Sequence, residues 1–231
     1  NFNNSATFIN NPEALNDREY GFRSRGIINE DLYRKLNKTT RSDSFDVDST
    51  IATDKLYKVY EILNKAVRGK FLKTNTRNES FLFDGMSEPI KINNLSTGVK
   101  SFLIIKKLCE NSVLVDKDVL ILDEPEIHLH PEWQLLYAEA LVVLQREFNL
   151  TVLITSHSST FVRAIECYCD AYDRMDILDV YKTKAIDEFN YTLENISYSE
   201  YGVSELYEDF SMPFEKLEEM IENKYGSGEE S

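Results

Sequence analysis

Two acidic residues, Asp123 and Glu124, directly follow an apolar run at 119–122 that is typical of a strand buried on both faces. Ligand sites of α/β proteins lie at the carboxyl ends of strands, and two isolated acids there are costly unless a cation or a reacting water uses them. Asp123 suits a Mg²⁺ ion held partly through water, and Glu124 suits a base that polarises an attacking water. For the Asp-Glu pair alone, a solvated acidic turn is the alternative interpretation.

A second apolar run, Thr151–Thr155, ends in Ser156 and His157. A histidine beside phosphates can hydrogen-bond a terminal phosphate and orient the water that attacks it. His157 comes 34 positions after Asp123, which leaves room for one helix and a return strand. The two strand ends are therefore expected to be neighbours in one sheet, although a histidine at such a place can also be a simple loop residue.

A third group of residues opens an apolar helix predicted from about Thr97 to Cys109. Ser96 is a good N-cap, and Gly98 permits close approach of another backbone. Lys100 adds positive charge to the first turn, where the helix dipole favours an acid, and this predicts an anion bound there. A plain capped helix is the alternative.

The elements that must position these residues alternate between strand and helix. Further helices are predicted at Pro131–Phe148 and at about 159–167, and further strands at 81–83, 90–92, 177–182 and 189–196. Continuous apolar strands between helices indicate an α/β fold with a largely parallel sheet flanked by helices. Before them, apolar residues recur at spacings of three and four from Glu30 to about Lys73, which predicts two helices, the second ended by Gly69.

Composition excludes several classes of protein. No apolar run approaches the roughly 20 residues that cross a bilayer, so no membrane contact is expected. The three cysteines have no disulfide-framework spacing, which predicts reduced thiols and a cytoplasmic protein. Residues 1–93 carry a net charge of +2 and residues 94–231 a net charge of −16, so any nucleic-acid contact is expected in the first part.

The motifs, in their order, resemble those of ABC-type ATPases. They are similar to the signature, Walker B and switch-histidine motifs of that group: Leu95-Ser96-Thr97-Gly98, Asp123-Glu124-Pro125 and Ser156-His157. The segment at 123–131 resembles the DEPE-x-HLHP segment of the OLD and RecF-like ATPases. The resemblance covers about residues 80–182 and implies an ABC-ATPase-like core of the P-loop class, with ATP and Mg²⁺ as cofactors.

The resemblance also implies residue roles. Asp123 would help to hold Mg²⁺, Glu124 would be the general base, and His157 would be the γ-phosphate switch. The signature residues would reach across a homodimer, or a higher homo-oligomer built through the ATP sites, to the ATP of a second subunit: Ser96, Gly98 and Lys100.

Three more residues would occupy the D-loop that links the two sites: Glu126, His128 and His130. The two histidines have the spacing of an H-x-H metal pair, but the resemblance makes them loop and interface residues.

On this basis we divide the chain into four parts. Residues 1–30 are a remnant of an amino-terminal ATPase lobe, and 31–78 are a helical arm. Residues 79–196 are the ATPase core, and 197–231 are an acidic helical extension, with a helix at 214–225 opened by Ser211 and Pro213, and a flexible tail. No G-x-x-x-x-G-K-[ST] motif occurs in the sequence, so we expect the phosphate-binding half to be missing from this chain.

A basic segment lies at the end of the arm. It contains five cations and no acid between its first and last: Lys65, Arg68, Lys70, Lys73 and Arg77. A solvated helix end is one interpretation, and a phosphate-contacting patch on DNA or RNA is the other.

Two functions follow from the resemblance. The first is an ATP-hydrolysing dimeric switch of prokaryotic anti-phage defence, of the Septu-type or retron-linked kind, acting with a separate partner nuclease. Residues 183–231 are too short for a nuclease domain, so we expect the chain not to be a nuclease itself. The alternative is a RecF- or SMC-like DNA repair or recombination ATPase that binds DNA directly.

Overall fold

The computed structural model describes residues 5–16, 27–38, 48–73, 79–197 and 203–225. The chain forms two compact units, Asn1–Tyr172 and Asp173–Ser231. The first unit contains, in chain order, β1 (Ala6–Ile9), α1 (Ile27–Leu36), α2 (Asp48–Ala66), β2 (Gly69–Lys73), β3 (Glu79–Phe83), β4 (Ile90–Lys91), α3 (Thr97–Glu110), β5 (Val119–Asp123), α4 (Pro131–Phe148), β6 (Thr151–Thr155) and α5 (Ser159–Ala171). The second unit contains β7 (Tyr181–Ala185), β8 (Tyr191–Asn195) and α6 (Ser204–Tyr225).

A parallel sheet lies at the centre of the first unit. Its strand order is β1-β5-β6, and both neighbouring pairs are parallel. Leu120 and Leu122 of β5 are fully buried, as expected of a central strand covered by helices. The predicted α/β fold with a parallel sheet flanked by helices is confirmed.

The helices around this sheet bury a shared aromatic core. Phe102 of α3 makes edge-to-face contacts with Trp133 at 5.5 Å and with Tyr137 at 5.1 Å, both on α4, and Phe161 of α5 lies beside Tyr137. Each fully buried side chain of this size stabilises the fold by roughly 2–3 kcal/mol. The core therefore fixes α3 and α4, whose amino ends border the candidate site.

The first two helices belong to the same core. Leu32 and Leu36 of α1 and Val59 and Leu63 of α2 are almost completely buried within it. Helix α2 packs along α4. The assignment of these helices to an inserted arm stays a prediction.

Helix α2 ends at Ala66, close to the predicted end at Gly69, but the helical pattern that we extended to about Lys73 is wrong for residues 69–73, which form β2, antiparallel to β3. Gly69 opens this strand with φ 151°, and a Cβ there would lie 2.2 Å from the carbonyl oxygen of Leu82. The buried ammonium of Lys106 donates to the carbonyl oxygens of Val67 at 3.2 Å and Gly69 at 2.8 Å, which holds the helix-to-strand junction.

The second unit is a hairpin and a helix. Strands β7 and β8 pair antiparallel with each other, so the expected strands at 177–182 and 189–196 do not extend the parallel sheet. Helix α6 begins at Ser204, and Pro213 lies inside it, so the predicted start at Ser211–Pro213 is wrong. Lys182 of β7 pairs with Glu205 and Asp209, which holds the first turns of α6 against the hairpin.

Within the described residues, no helix combines the length and the apolar character needed to span a bilayer.

Candidate functional site

Polar residues stand in a row where the three parallel strands end. The register pairs Ile9 with Leu122 and Asp123 with Thr155, and Asn10 is the first residue after β1. The hydroxyl of Thr155 donates to Oδ1 of Asp123 at 2.6 Å and so orients this exposed carboxylate. An oriented, exposed carboxylate at this edge is the kind of ligand that Mg²⁺ takes through water.

An open cavity of about 450 Å³ lies over this edge. The loop after β1 and the loop after β5 both line it, with residues that include Asn10, Asn11, Asp123, Glu124 and His128. Our sequence reasoning missed Asn10, Asn11 and Thr155. The signal for Thr155 was available, since it ends the strand whose neighbour ends at Asp123, but β1 was not recognisable as a strand of the same sheet.

Glu124 is held in an unusual backbone conformation. Its φ is 43°, in the left-handed region, which costs a residue with a Cβ roughly 1–2 kcal/mol. Its N–H donates to both the carbonyl and the hydroxyl oxygen of Thr155, each at 3.1 Å. These bonds to the neighbouring strand offset the strain and turn the chain sharply where the strand ends.

The side chain of Glu124 meets His157. Its Oε1 lies 3.3 Å from Nε2 of His157. The imidazole is 87% exposed and the carboxylate 37% exposed, so both groups face solvent beside Asp123. The structure therefore brings together the three residues that the sequence placed at neighbouring strand ends.

The amino end of α3 forms the second part of the site. The hydroxyl of Ser96 accepts a hydrogen bond from the N–H of Val99 at 3.4 Å, as predicted for an N-cap. Gly98 lies against the β5–α4 loop, where a Cβ would stand 2.9 Å from the carbonyl oxygen of His128. Ser96, Gly98 and His128 line an open depression of about 360 Å³.

Lys100 does not have the place that we expected. Its side chain is 3% exposed, and its ammonium bonds Oε2 of Glu13 at 2.8 Å, inside this chain. Glu13 also accepts a hydrogen bond from the hydroxyl of Thr97 at 3.3 Å. The positive charge that we took as a sign of a bound anion is thus neutralised internally. Ser96 and Gly98, but not Lys100, remain candidates for contact with a second subunit.

The D-loop candidates have separate local roles. His130 caps α4, because its Nδ1 accepts a hydrogen bond from the N–H of Glu132 at 3.4 Å. His128 is exposed between the two cavities, and Glu126 is buried. In the part of the chain that the structure describes, no three His, Cys, Asp or Glu residues come together as a metal site.

The basic segment is partly neutralised. Lys65 pairs with Glu139 at 3.2 Å, and Nε of Arg68 pairs with Asp84 at 3.0 Å. Lys70 is exposed on β2, while the side chain of Lys73 and all of Arg77 lie outside the described residues. A nucleic-acid contact here stays a prediction, with two of its five cations committed to acids of the same chain.

Comparison with known proteins identifies the family. The model of the AAA ATPase domain matches residues 5–162, more than half of the 231-residue chain. The chain belongs to the AAA ATPase domain family. A solved structure from work on the structural biochemistry of ATP-driven dimerization and DNA-stimulated activation of SMC ATPases is similar, with a TM-score of 0.45 and 11% identity, covering 71% of this chain and 94% of that chain.

Proposed function

We propose that this chain hydrolyses ATP at the carboxyl edge of its parallel sheet, with Glu124 as the base. The observation that carries the proposal is the 3.3 Å contact between Glu124 and His157 beside the exposed carboxylate of Asp123. Membership of the AAA ATPase domain family supports the same reaction. Both residues of the proposal, the acid and the histidine, follow the ends of neighbouring parallel strands.

In this proposal Glu124 accepts a proton from the attacking water, and His157 orients that water or hydrogen-bonds the terminal phosphate. A positioned general base contributes about 10²–10⁴-fold to such reactions. Asp123 would hold Mg²⁺ through water, and the ion would neutralise charge on the phosphate oxygens. The sequence has no phosphate-cradling G-x-x-x-x-G-K-[ST] loop.

We further propose that two copies form a dimer around ATP, with Ser96 and Gly98 of one copy facing the nucleotide of the other. The support is geometric: both residues line an open depression at a helix amino end, where free N–H groups and the helix dipole favour phosphate. His128, on the β5–α4 loop, lines both this depression and the cavity over the carboxyl edge of the sheet.

A separate partner protein, which we propose to be a nuclease of an anti-phage system in the cytoplasm, would act downstream of this switch. The second unit supports a protein partner, because α6 carries exposed apolar side chains at Phe214, Leu217 and Ile221. Large exposed apolar groups on one element mark interaction surfaces. Leu217→Ser should weaken co-purification of the partner without changing ATP turnover.

The test of the central proposal is steady-state ATP hydrolysis and mass in solution for the native protein and its Glu124→Gln variant. Turnover lost in the variant, with ATP binding kept and a nucleotide-stabilised dimer, would support the proposal. Equal turnover in both proteins would remove Glu124 from the mechanism. Glu132→Gln, an exposed glutamate at the amino end of α4, is the matched control.

A further inference from the structure

Glu126 is a buried acid that joins the two loops of the site. It is 4% exposed, and it lies on the β5–α4 loop three residues after Asp123. Its Oε1 accepts hydrogen bonds from the hydroxyl of Ser156 and from the backbone N–H of His157, the latter at 3.3 Å. Both donors belong to the loop that follows β6.

A second set of hydrogen bonds, made by Ser158, lies beside the first. The hydroxyl of Ser158 donates to Oε1 of Gln134 on α4 at 2.8 Å and caps α5 by accepting from the N–H of Phe161 at 3.2 Å. The N–H of Ser158 donates in turn to the hydroxyl of Ser156 at 3.1 Å. The residues on both sides of His157 are therefore held by cross-loop hydrogen bonds.

The imidazole of His157 has little support of its own. The imidazole is 87% exposed, and its Nε2 makes a polar contact with Oε1 of Glu124. The position of the imidazole relative to Glu124 is thus set by the backbone from which it projects. Within the described residues, the principal hydrogen bond from another loop to that backbone ends on Glu126.

Burial of this acid is difficult to explain by stability alone. Its second oxygen, Oε2, is buried and has no hydrogen-bond partner among the described residues. A buried polar atom without a partner is costly, and this cost offsets part of the stabilisation from the two hydrogen bonds at Oε1. A cost of this kind at the edge of a reaction site indicates a residue retained for its effect on the site.

We infer that Glu126 is a positioning residue: it places the imidazole of His157 against Glu124 by accepting the His157 N–H and the Ser156 hydroxyl. This inference rests on the proposed function for the role of His157, but the geometry it claims can be measured without turnover. Glu126 then acts within one chain, in addition to its predicted place in the D-loop that links the two ATP sites of a dimer.

The variants separate the acceptor from the charge. Glu126→Gln keeps an acceptor oxygen and removes the negative charge, so His157 should stay in place and kcat should stay within about threefold of the native value. Glu126→Leu removes the acceptor and should lower kcat between about 10- and 100-fold with little change in KM, because small misplacements of a catalytic group have effects of this size. Ser156→Ala should have a smaller effect of the same kind.

Asp118 supplies the matched control. It is 1% exposed at the opposite end of β5, and its carboxylate accepts from the N–H groups of Ser5 at 2.7 Å and Val115 at 3.2 Å. Asp118→Asn and Asp118→Leu therefore repeat the same chemical changes at the other end of β5, away from the site. They should change stability without changing the kcat of the folded protein.

The decisive experiment is nuclear magnetic resonance of the histidine-labelled native protein, together with hydrogen exchange of the His157 amide. The sequence has three histidines, so each imidazole signal can be assigned. Glu126→Leu should shift the His157 imidazole signal and speed exchange of its amide, while Glu126→Gln and the Asp118 variants should not.

Three outcomes would overturn the inference. The first is an unchanged His157 signal and exchange rate in Glu126→Leu. The second is a Glu126→Gln variant that loses turnover as Glu126→Leu does while His157 stays in place, because the charge would then act directly. The third is an equal response in Asp118→Leu. If the native protein hydrolyses no ATP, the proposed function fails, and the two spectroscopic measurements still decide the position of His157.

Discussion

Gly98 lies directly against the backbone of His128: a Cβ at position 98 would stand 2.9 Å from the carbonyl oxygen of His128 and 3.4 Å from Cδ2 of Leu129. This contact joins the amino end of α3 to the loop that carries the acids. Because the loop is fixed at Glu126 as well, the neighbouring backbone cannot give way easily.

We therefore expect Gly98→Ala to destabilise the protein by about 1–3 kcal/mol, the usual cost of overfilling a packed contact. Alanine in an unobstructed helical position would instead stabilise by roughly 0.5–1 kcal/mol. Urea unfolding of the native and Gly98→Ala proteins measures the change in the free energy of unfolding. Ser96→Ala, which removes the N-cap at a cost of about 1 kcal/mol, calibrates a local loss at the same helix end. A Gly98→Ala protein more stable than the native one would contradict the contact.

His157 is the second position with a clear expectation. Since its imidazole is 87% exposed and makes a polar contact with Glu124 at the surface, His157→Ala should change the free energy of unfolding by no more than about 0.5 kcal/mol. Turnover of ATP should nevertheless fall by about 10²-fold or more. Arg163→Ala, an exposed residue on the following helix, is the control for both measurements. A large loss of stability in His157→Ala would point to a structural role.

The ion pair between buried Lys100 and partly exposed Glu13 predicts a dependence of stability on pH. Partial burial acts to raise the pKa of Glu13, but the hydrogen bond and charge of Lys100 outweigh it, and the pKa is lowered from its usual 4.5. A lowered pKa in the folded state means stability that is present above the unfolded value and lost as the pH falls through the folded one.

Urea unfolding between pH 7 and pH 3 should therefore show an acid-sensitive contribution that disappears in Glu13→Gln. In Lys100→Met the same contribution should become smaller, because the ammonium is the strongest of the groups that lower the pKa of Glu13, ahead of Asn16 and Thr97. Breaking a fully buried ion pair typically lowers the free energy of unfolding by about 3–5 kcal/mol. Because Glu13 is partly exposed, the loss in Lys100→Met at pH 7 should be smaller than this. If the free energy of unfolding falls with pH in both variants as it does in the native protein, the pair does not form in solution.

The three cysteines should react at very different rates. Cys167 is exposed, whereas Cys109 and Cys169 are buried. Burial, with the charge of Glu110, raises the pKa of Cys109 to about 12, so its thiolate is scarce at pH 8. Iodoacetamide should label Cys167 first, and the other two only after unfolding in urea, as mapped by peptide mass spectrometry. Rapid labelling of Cys109 in the folded protein would contradict its burial in the core.

The sequence was most informative where a local pattern determines the structure. The strands β5 and β6 are continuous apolar runs that end in polar residues, and α4 begins at Pro131 and ends at Phe148 as predicted. Because both strands belong to one parallel sheet, their carboxyl ends had to meet. The meeting of Glu124 and His157 could therefore be predicted before any coordinates.

Other features depend on contacts that are distant in sequence. Strand β1 has four residues among asparagines, and its pairing with β5 is between segments more than a hundred residues apart, as in the bond from Ser5 to Asp118. The local sequence at Lys100 indicated an unpaired charge, but its partner Glu13 lies 87 positions earlier. Helix α6 starts before Ser211, and its first turns are paired through Glu205 and Asp209 with Lys182 of the hairpin, a contact that the sequence of the helix does not reveal.

Glu124 adopts a backbone conformation, φ 43°, that glycine or asparagine would occupy more comfortably. Selection for heat resistance alone would favour those residues at this position, and selection for catalysis would favour the acid. The two pressures are opposed at one residue. Laboratory evolution for thermostability that monitors folding without activity should therefore replace Glu124 early, and the resulting protein should be more stable but should have lost the activity proposed for this residue.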